Sequence, residues 1–313
     1  MNKKQNLHPL VSIAIITYNH ARFIENAIKS VLSQDYLNIE IVISDDASGD
    51  NTVKIIQNIA NQHPDKIRIL TNAKNQGATE NWFKCVQSCR GKYIIPLAGD
   101  DELLPDIISK QSAIMENDPN VALCYADAVV FDVVNQKKLY RLSDKTPTKS
   151  GGLKLALQDS IYYSPTTMLR KILLPKENIF KNLRHGTDLA FYKELMIIAG
   201  PLAKIHYVPE VLYKYQKHDA NITVTQTQYR RDHIEAIKIL QKKYPEYSKD
   251  LEPSIYDFAC VAFFKSIAKL KLQDSFYFLS IGLKASHYNP LKFFRALMWG
   301  IKFHLIFLLQ KFY

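Results

Sequence analysis

Val11-Ser12-Ile13-Ala14-Ile15-Ile16 is an apolar, β-branched run that stops abruptly on Thr17-Tyr18-Asn19-His20. Lys3 and Lys4 precede it, as in a signal peptide, but the run from Leu10 to Ile16 is short, contains Ser12 and is followed by no small-residue cleavage site. A short apolar run bounded by turn residues reads as a buried strand. Outward from it, residues 20–33 place Phe23, Ala27, Ile28 and Val31 at helical spacing, and 39–44 form a second apolar strand. The alternation continues with a helix over 50–60 (Val53, Ile56 and Ile59 on one face), a strand at 67–71, a helix over 78–89 closed by Gly91, a strand at 93–97, a helix over 104–116 and a longer strand at 121–131. Near-continuous apolar strands alternating with helices imply an α/β fold, a mostly parallel sheet with helices flanking both faces. Such sheets bind ligands beyond the carboxyl ends of their strands, which directs attention to the residues just after Ile16, Ser44, Thr71 and Leu97.

Residues 132–165 are loop-rich, with turn signals at 144–148 and at Gly151-Gly152. A short strand, a helix over 188–199 and an aromatic strand near 207–215 follow, and from about 225 the pattern is purely helical. The expected organisation is a domain over 1–222, with halves at about 10–130 and 131–222, and a helical C-terminal extension over 223–313. The 313 residues are 47% hydrophobic and 23% charged, values of a globular chain rather than a disordered, collagen-like or multi-span membrane one. No stretch reaches the roughly 18 apolar residues of a spanning helix. The net charge of +11 suits an acidic partner: nucleotide phosphates, nucleic acid or an anionic membrane. Nucleic acid is set aside, because the basic residues are dispersed and no nucleic-acid motif is present. Four cysteines, with Cys85 and Cys89 lacking a second ligand pair, read as buried reduced thiols.

Polar clusters fall at each of the four strand ends: Thr17-Tyr18-Asn19, then Asp45-Asp46-Ala47-Ser48-Gly49-Asp50-Asn51-Thr52, then Asn75-Gln76-Gly77, then Gly99-Asp100-Asp101. An acidic turn after a strand is usually a helix cap, and Asp50 reads that way. Four clusters in register at one sheet edge are harder to dismiss. Paired carboxylates there repel unless they meet a cation or hydrogen-bond donors such as ribose hydroxyls. A nicotinamide-type dinucleotide fold is disfavoured, since no G-x-G-x-x-G follows the first strand.

These residues resemble family 2 glycosyltransferases of the GT-A fold, inverting enzymes that use nucleotide-diphosphate sugars. Val11–Asn19 is similar to the family's first strand and Tyr-Asn turn. Asp45–Thr52 is similar to its Asp-Asp-Gly-Ser-x-Asp-x-Thr signature, with Ala47 for the usual Gly. Asn75-x-Gly77, Asn81-Trp82 and Gly91-Lys92-Tyr93-Ile94 resemble the approach to the family's Asp-x-Asp motif, which falls at Gly99-Asp100-Asp101 with Ala98 in its first acidic slot. The resemblance implies nucleotide contacts at Thr17, Tyr18, Asn19, Asp45, Asp46, Asn75 and Gly77. It implies Asp100 near the ribose and a Mg²⁺ or Mn²⁺ held mainly by Asp101 with Asp100, oxygen ligands suiting those ions.

In the second half, Gly186-Thr187-Asp188-Leu189-Ala190-Phe191-Tyr192 resembles the place of the family's catalytic carboxylate, with Thr187 in the first acidic slot. An inverting transfer needs one general base, which assigns Asp188 to that role; an N-cap of the following helix is the plainer reading, and Asp127 and Glu194 are the next carboxylates to test. Tyr213-x-Tyr215-Gln216-Lys217-His218-Asp219-Ala220-Asn221 resembles the family's Tyr-Arg-x-His-x-x-Asn ending, with Gln216 for Arg and His218 facing the diphosphate. Ser164-Pro165-Thr166-Thr167-Met168 is a candidate acceptor-site lining. After Asp274 no acidic residue remains, while Lys284, Lys292, Arg295, Lys302 and Lys311 alternate with many apolar and aromatic residues. A basic, aromatic, amphipathic helix fits an interfacial membrane anchor; a helix docked on the protein or an oligomer contact are the alternatives.

The expectation is therefore a metal-dependent inverting hexosyl- or N-acetylhexosaminyl-transferase. It would use a nucleotide-sugar donor, UDP being the expected nucleotide, and a glycan or lipid-linked acceptor in surface polysaccharide biosynthesis. It would sit in the cytoplasm, peripheral to the inner face of the cell membrane. The alternative is a sugar-nucleotide-binding protein without catalysis, motivated by Ala98 and Thr187.

Overall fold

Strands whose side chains are apolar on both sides must be covered on both sides, and the chain does this with one sheet between two helical layers. The structure, a computed structural model, describes residues 8–145, 148–158, 165–219, 221, 227–268 and 272–285. Its elements in chain order are β1 (Val11–Thr17), α1 (Ile24–Leu32), β2 (Ile39–Asp45), α2 (Thr52–Gln62), β3 (Ile67–Thr71), α3 (Ala78–Ser88), β4 (Tyr93–Ala98), β5 (Glu102–Leu103), α4 (Ile107–Asn117), β6 (Val121–Asp132) and β7 (Lys137–Arg141). They continue with β8 (Gly151–Gly152), α5 (Leu153–Gln158), β9 (Thr167–Arg170), α6 (Asp188–Ala199), β10 (Lys204–Lys217), α7 (Thr227–Lys243), α8 (Ser248–Ala268) and α9 (Leu272–Ala285).

The strands run in the order β3-β2-β1-β4-β9-β6-β10-β5, with β7 on β6 and β8 on β10. β1 pairs in parallel with β2 and β4, β2 with β3, and β6 with β10. β9 is antiparallel to both β4 and β6, so those two point the same way and the long strands share one direction. Thr17, Asp45, Thr71, Ala98, Asp132 and Lys217 therefore end at one edge. This is the GT-A type of mostly parallel sheet, and β9 is the antiparallel interruption the sequence reading did not foresee.

Alternate strand residues serve the two faces. Ile13, Ile15, Ile41, Ile43, Ile95 and Leu97 pack against Ile24, Ile28, Ile56 and Ile107 from α1, α2 and α4. Ala14, Val42, Ile94, Leu123 and Leu169 share the other core with Val86 of α3, Phe191 of α6, Ile237 of α7, Ala259 of α8 and Phe278 of α9. The C-terminal helices thus complete the cover of one sheet face. All four cysteines are free and buried. Among the described residues no helix is long and apolar enough to cross a membrane. The basic segment over 289–313 lies outside the described residues.

Candidate active site

The sheet edge holds two hydrogen-bonded groups of polar residues. The first is built on Asp46, which is 2% exposed. Its Oδ1 accepts from Asn72 Nδ2 at 2.9 Å and from the Gln76 N–H at 2.8 Å; its Oδ2 accepts from the Gly77 N–H at 2.9 Å. Asn75 Nδ2 donates to the Asp46 carbonyl at 3.3 Å. The carboxylate thus shapes the turn between β3 and α3. Asp45, 1% exposed, accepts from the Ser48 N–H at 2.9 Å and from Ser48 Oγ at 2.6 Å. Asn19 joins the same turn: its N–H donates to Ser48 Oγ at 2.8 Å and its Oδ1 accepts from the Gly49 N–H at 2.8 Å. Tyr18, next to it, keeps 46% of its surface exposed at the mouth of the edge. Asp50 accepts from the Thr52 N–H and hydroxyl with one oxygen and from the Ala21 N–H with the other, so it ties the β1–α1 turn to the start of α2 rather than only capping the helix.

The second group gathers around Asp100. His218 Nε2 lies 3.0 Å from Asp100 Oδ2, Asn221 Nδ2 donates to it at 3.2 Å, and His20 Nε2 stands 3.8 Å away. Burial opposes ionisation of Asp100, but the His218 bond and the nearby His20 outweigh it and hold the carboxyl below the usual range. Asp101 differs. Its Oδ2 accepts from the Tyr213 hydroxyl at 2.9 Å and its Oδ1 from the Gln216 N–H at 2.8 Å. Burial, with the Asp100 charge next to it, pushes Asp101 well above the ordinary carboxylate range. Gln216 adds a 2.6 Å bond from Nε2 to the Asp100 carbonyl, so the glutamine holds the turn through neutral bonds. Parallel pairing of β10 with β6 brings His218 to the edge where β4 ends.

His20 is the residue the sequence reading missed. It directly follows Tyr18-Asn19, and that adjacency was the available signal. Its Nδ1 and the Thr17 hydroxyl are buried with no hydrogen-bond partner among the described residues. A Cβ built at Gly99 would sit 2.9 Å from Thr17 Cβ and 3.0 Å from His20 Nδ1, so only glycine lets this turn close on them. Burial lowers the His20 pKa, with Asp100 pulling the other way.

Asp188 is the first residue of α6, after an N-cap at Thr187 that makes no side-chain cap bond. Thr187 Oγ1 lies 3.1 Å from Thr79 Oγ1 at the start of α3, which docks the Asp188 turn against the donor-side loop. The other candidate bases are committed elsewhere. Glu194 is fully buried and accepts from Lys243 Nζ at 2.7 Å and the Tyr244 hydroxyl at 3.1 Å. Asp127 accepts from the Ser143 hydroxyl at 2.6 Å and from the Ser143 and Ala128 N–H groups. Thr166 is 1% exposed and donates to the Ala126 carbonyl at 2.7 Å, so it belongs to the sheet rather than to an open lining; Ser164 lies outside the described residues.

Among the described residues no three His, Cys, Asp or Glu side chains are arranged to hold a metal by themselves. A Mg²⁺ or Mn²⁺ that keeps waters and shares a substrate's phosphates takes only one or two protein carboxylates. Asp100, 8% exposed beside imidazole and amide groups, fits such a shared site; Asp101, at 2%, is the more enclosed of the pair.

The model of the family described as "Glycosyl transferase family 2" matches residues 12–176, more than half of the chain. The chain belongs to glycosyl transferase family 2. A stretch of 127 residues is 33% identical to the protein named "Putative glycosyltransferase EpsE" of Bacillus subtilis (strain 168), and covers 41% of this chain and 46% of that one. Among solved structures, Staphylococcus aureus TarS 1-349 in complex with UDP superposes with a TM-score of 0.55 at 17% identity, over 89% of this chain and 88% of that chain. The mannosyltransferase PcManGT from Pyrobaculum calidifontis, in complex with GDP-Man and Mn²⁺, gives 0.56 at 16% identity, over 96% and 87%. At such identities the likeness is one of fold. The family 2 match stops before Asp188 and His218, so the acceptor-side residues rest on this chain's own geometry.

Proposed function

We propose that this family 2 glycosyltransferase moves a sugar from a nucleotide-diphosphate donor, with UDP as the expected nucleotide, to a hydroxyl of a glycan or lipid-linked acceptor in surface polysaccharide assembly. The observation that carries the reading is the gathering, at one sheet edge, of the Asp100–His218–Asn221 group and the Asp46-shaped loop, with Thr187, the residue before Asp188, against Thr79 at the end of that loop. UDP in the TarS structure and GDP-Man with Mn²⁺ in PcManGT support a nucleotide-sugar donor and a divalent ion.

The reaction is a single inverting displacement. Asp188 takes the proton from the acceptor hydroxyl, whose oxygen attacks the anomeric carbon as the bond from that carbon to the phosphate oxygen breaks. The nucleoside diphosphate leaves with the bonding pair. Asp100 presents its carboxylate to the diphosphate end of the donor, while His218 and Asn221 fix its orientation. Asp101 ties the Gly99–Asp101 turn to β10, which shifts the larger share of metal binding from Asp101, favoured by the motif, to Asp100. A divalent ion, when bound, neutralises charge building on the leaving group. Tyr18, Asn19, Asn75 and Gly77 line the nucleotide side, with Thr17, Asp45 and Asp46 supporting them from within.

Thermal shift with UDP and GDP, each with Mn²⁺ or EDTA, tests the donor site, since a ligand that binds only the folded state raises the melting temperature. A nucleotide shift that requires Mn²⁺ is expected, lost in Asp100→Asn and weakened less in Asp101→Asn. An equal shift in EDTA and in both variants contradicts the assignment. Nucleotide binding without any turnover of nucleotide sugars favours the catalytically inactive alternative, to which Ala98 and Thr187 point.

A further inference from the structure

The turn that carries Asp188 is held from two sides. On the donor side the Arg184 carbonyl accepts from the Thr79 N–H at 3.2 Å, and Arg184 Nη2 donates to Asn75 Oδ1 at 2.7 Å. On the other side stands α7, from the C-terminal extension. Asp232 Oδ2 accepts the N–H groups of both Arg184 and His185 at 3.2 Å, and its Oδ1 accepts from Gln228 Nε2 at 2.6 Å. His233 Nδ1 lies 3.0 Å from the Gly186 carbonyl. Gly186 has φ +66°, and a Cβ there would stand 2.6 Å from the Tyr229 carbonyl, so loop and helix backbones touch. Loop and helix both lie beyond residue 176, where the family match ends.

His233 is an unusual choice for this place. It is fully buried, its ring packs on Phe258 with centroids 3.9 Å apart, and its Nε2 has no hydrogen-bond partner among the described residues. A carbonyl can only accept, so Nδ1 carries the proton and Nε2 is left bare. Burial pushes the pKa down to about 4, which keeps the ring neutral near pH 7. A buried polar atom without a partner costs stability that a leucine would not cost. What the histidine adds is one directed bond to the loop that leads into Asp188.

We propose that His233 and Asp232 are positioning residues for sugar transfer: from α7 they fix the backbone of residues 184–187, and with it the place of Asp188 against the donor loop. This rests on Asp188 being the base. The C-terminal extension is then part of the catalytic unit through α7, not only a carrier for the basic tail.

The test compares full-length wild type with His233→Leu, His233→Asn and Asp188→Asn. Measured are UDP affinity, donor KM and kcat for release of nucleoside diphosphate from the sugar nucleotide that the protein turns over, and hydrogen exchange of residues 184–188. His233→Leu is expected to melt close to wild type and bind UDP with unchanged affinity. Its kcat should fall about tenfold or more at constant donor KM, and exchange over 184–188 should speed up. His233→Asn, whose Nδ2 stands near the place of Nδ1, should recover most of the rate and the protection. Wild-type kcat and wild-type exchange in His233→Leu overturn the proposal, whatever Asp188→Asn does. Full turnover in Asp188→Asn overturns the base assignment instead, and the exchange of 184–188 still decides whether α7 holds the loop. Should His233→Leu fail to fold, Asp232→Ala removes the acceptor of the Arg184 and His185 N–H groups and is read in the same way.

Discussion

Asp100 and Asp101 are adjacent in sequence and opposite in surroundings. One carboxylate sits among His20, His218 and Asn221 and is held ionised; the other is enclosed by Tyr213 and Gln216 and pushed toward its neutral form. Tyr213→Phe should therefore destabilise the protein by about 1–3 kcal/mol in urea unfolding, since it strips a donor from a buried acceptor. His233 gives a pH prediction. Its folded pKa is about 4 against 6.5 in the open chain, so its contribution is complete above pH 6.5 and is lost as pH falls toward 4. Between pH 7 and pH 5 this one group removes about 2 kcal/mol. His233→Leu should lose correspondingly less stability over that interval, measured by urea midpoints at the two pH values. The residue types at the edge were legible in the sequence: Asp100, Asp101 and His218 do meet. Which aspartate faces outward was not, because that depends on a bond from Tyr213, far along the chain, and no local pattern encodes it.

At the scale of elements, the apolar period gives the strands and the first four helices, and the left-handed residues account for the misplaced ends. The helix expected from residue 20 starts at Ile24 because Asn19, at φ 57°, turns the chain first; the one expected from 104 starts at Ile107 behind Asp106 at φ 68°. The short strand expected ahead of the 188–199 helix is β9, but its antiparallel direction was not legible, because a short strand carries no signal of which way it runs in the sheet. The loop between β3 and α3 shows a second limit of sequence reading. A carboxylate that binds a nucleotide and one that shapes a loop look alike in sequence, and Asp46 accepts from two backbone N–H groups and the Asn72 side-chain amide, a structural task no local pattern announces. Asp46→Ala leaves the Gln76 and Gly77 N–H groups unpaired and should cost about 2–5 kcal/mol in urea unfolding, together with loss of the UDP-induced thermal shift. Unchanged stability would show that the loop keeps its shape without this carboxylate.

Across the whole molecule, the N-terminal sheet and the C-terminal helices cannot be separated cleanly, since Ile237, Ala259 and Phe278 complete the core over one sheet face. Ending the chain at residue 222 should yield insoluble or molten protein. Deleting 289–313 should leave a folded protein that no longer co-sediments with anionic liposomes, each basic residue near such a surface being worth about 1 kcal/mol; equal co-sedimentation with and without the tail contradicts membrane anchoring. The two halves of the chain meet where the Asp188 turn docks on the donor loop, and the division of labour across that junction is tested most directly by the turnover of Asp188→Asn. The side chain keeps its shape and loses its proton-accepting charge, and general base catalysis is worth about 10²–10⁴-fold. UDP affinity and melting temperature should stay near wild type while release of nucleoside diphosphate from the sugar nucleotide slows by at least about a hundredfold; release at close to the wild-type rate would show that Asp188 is not the base.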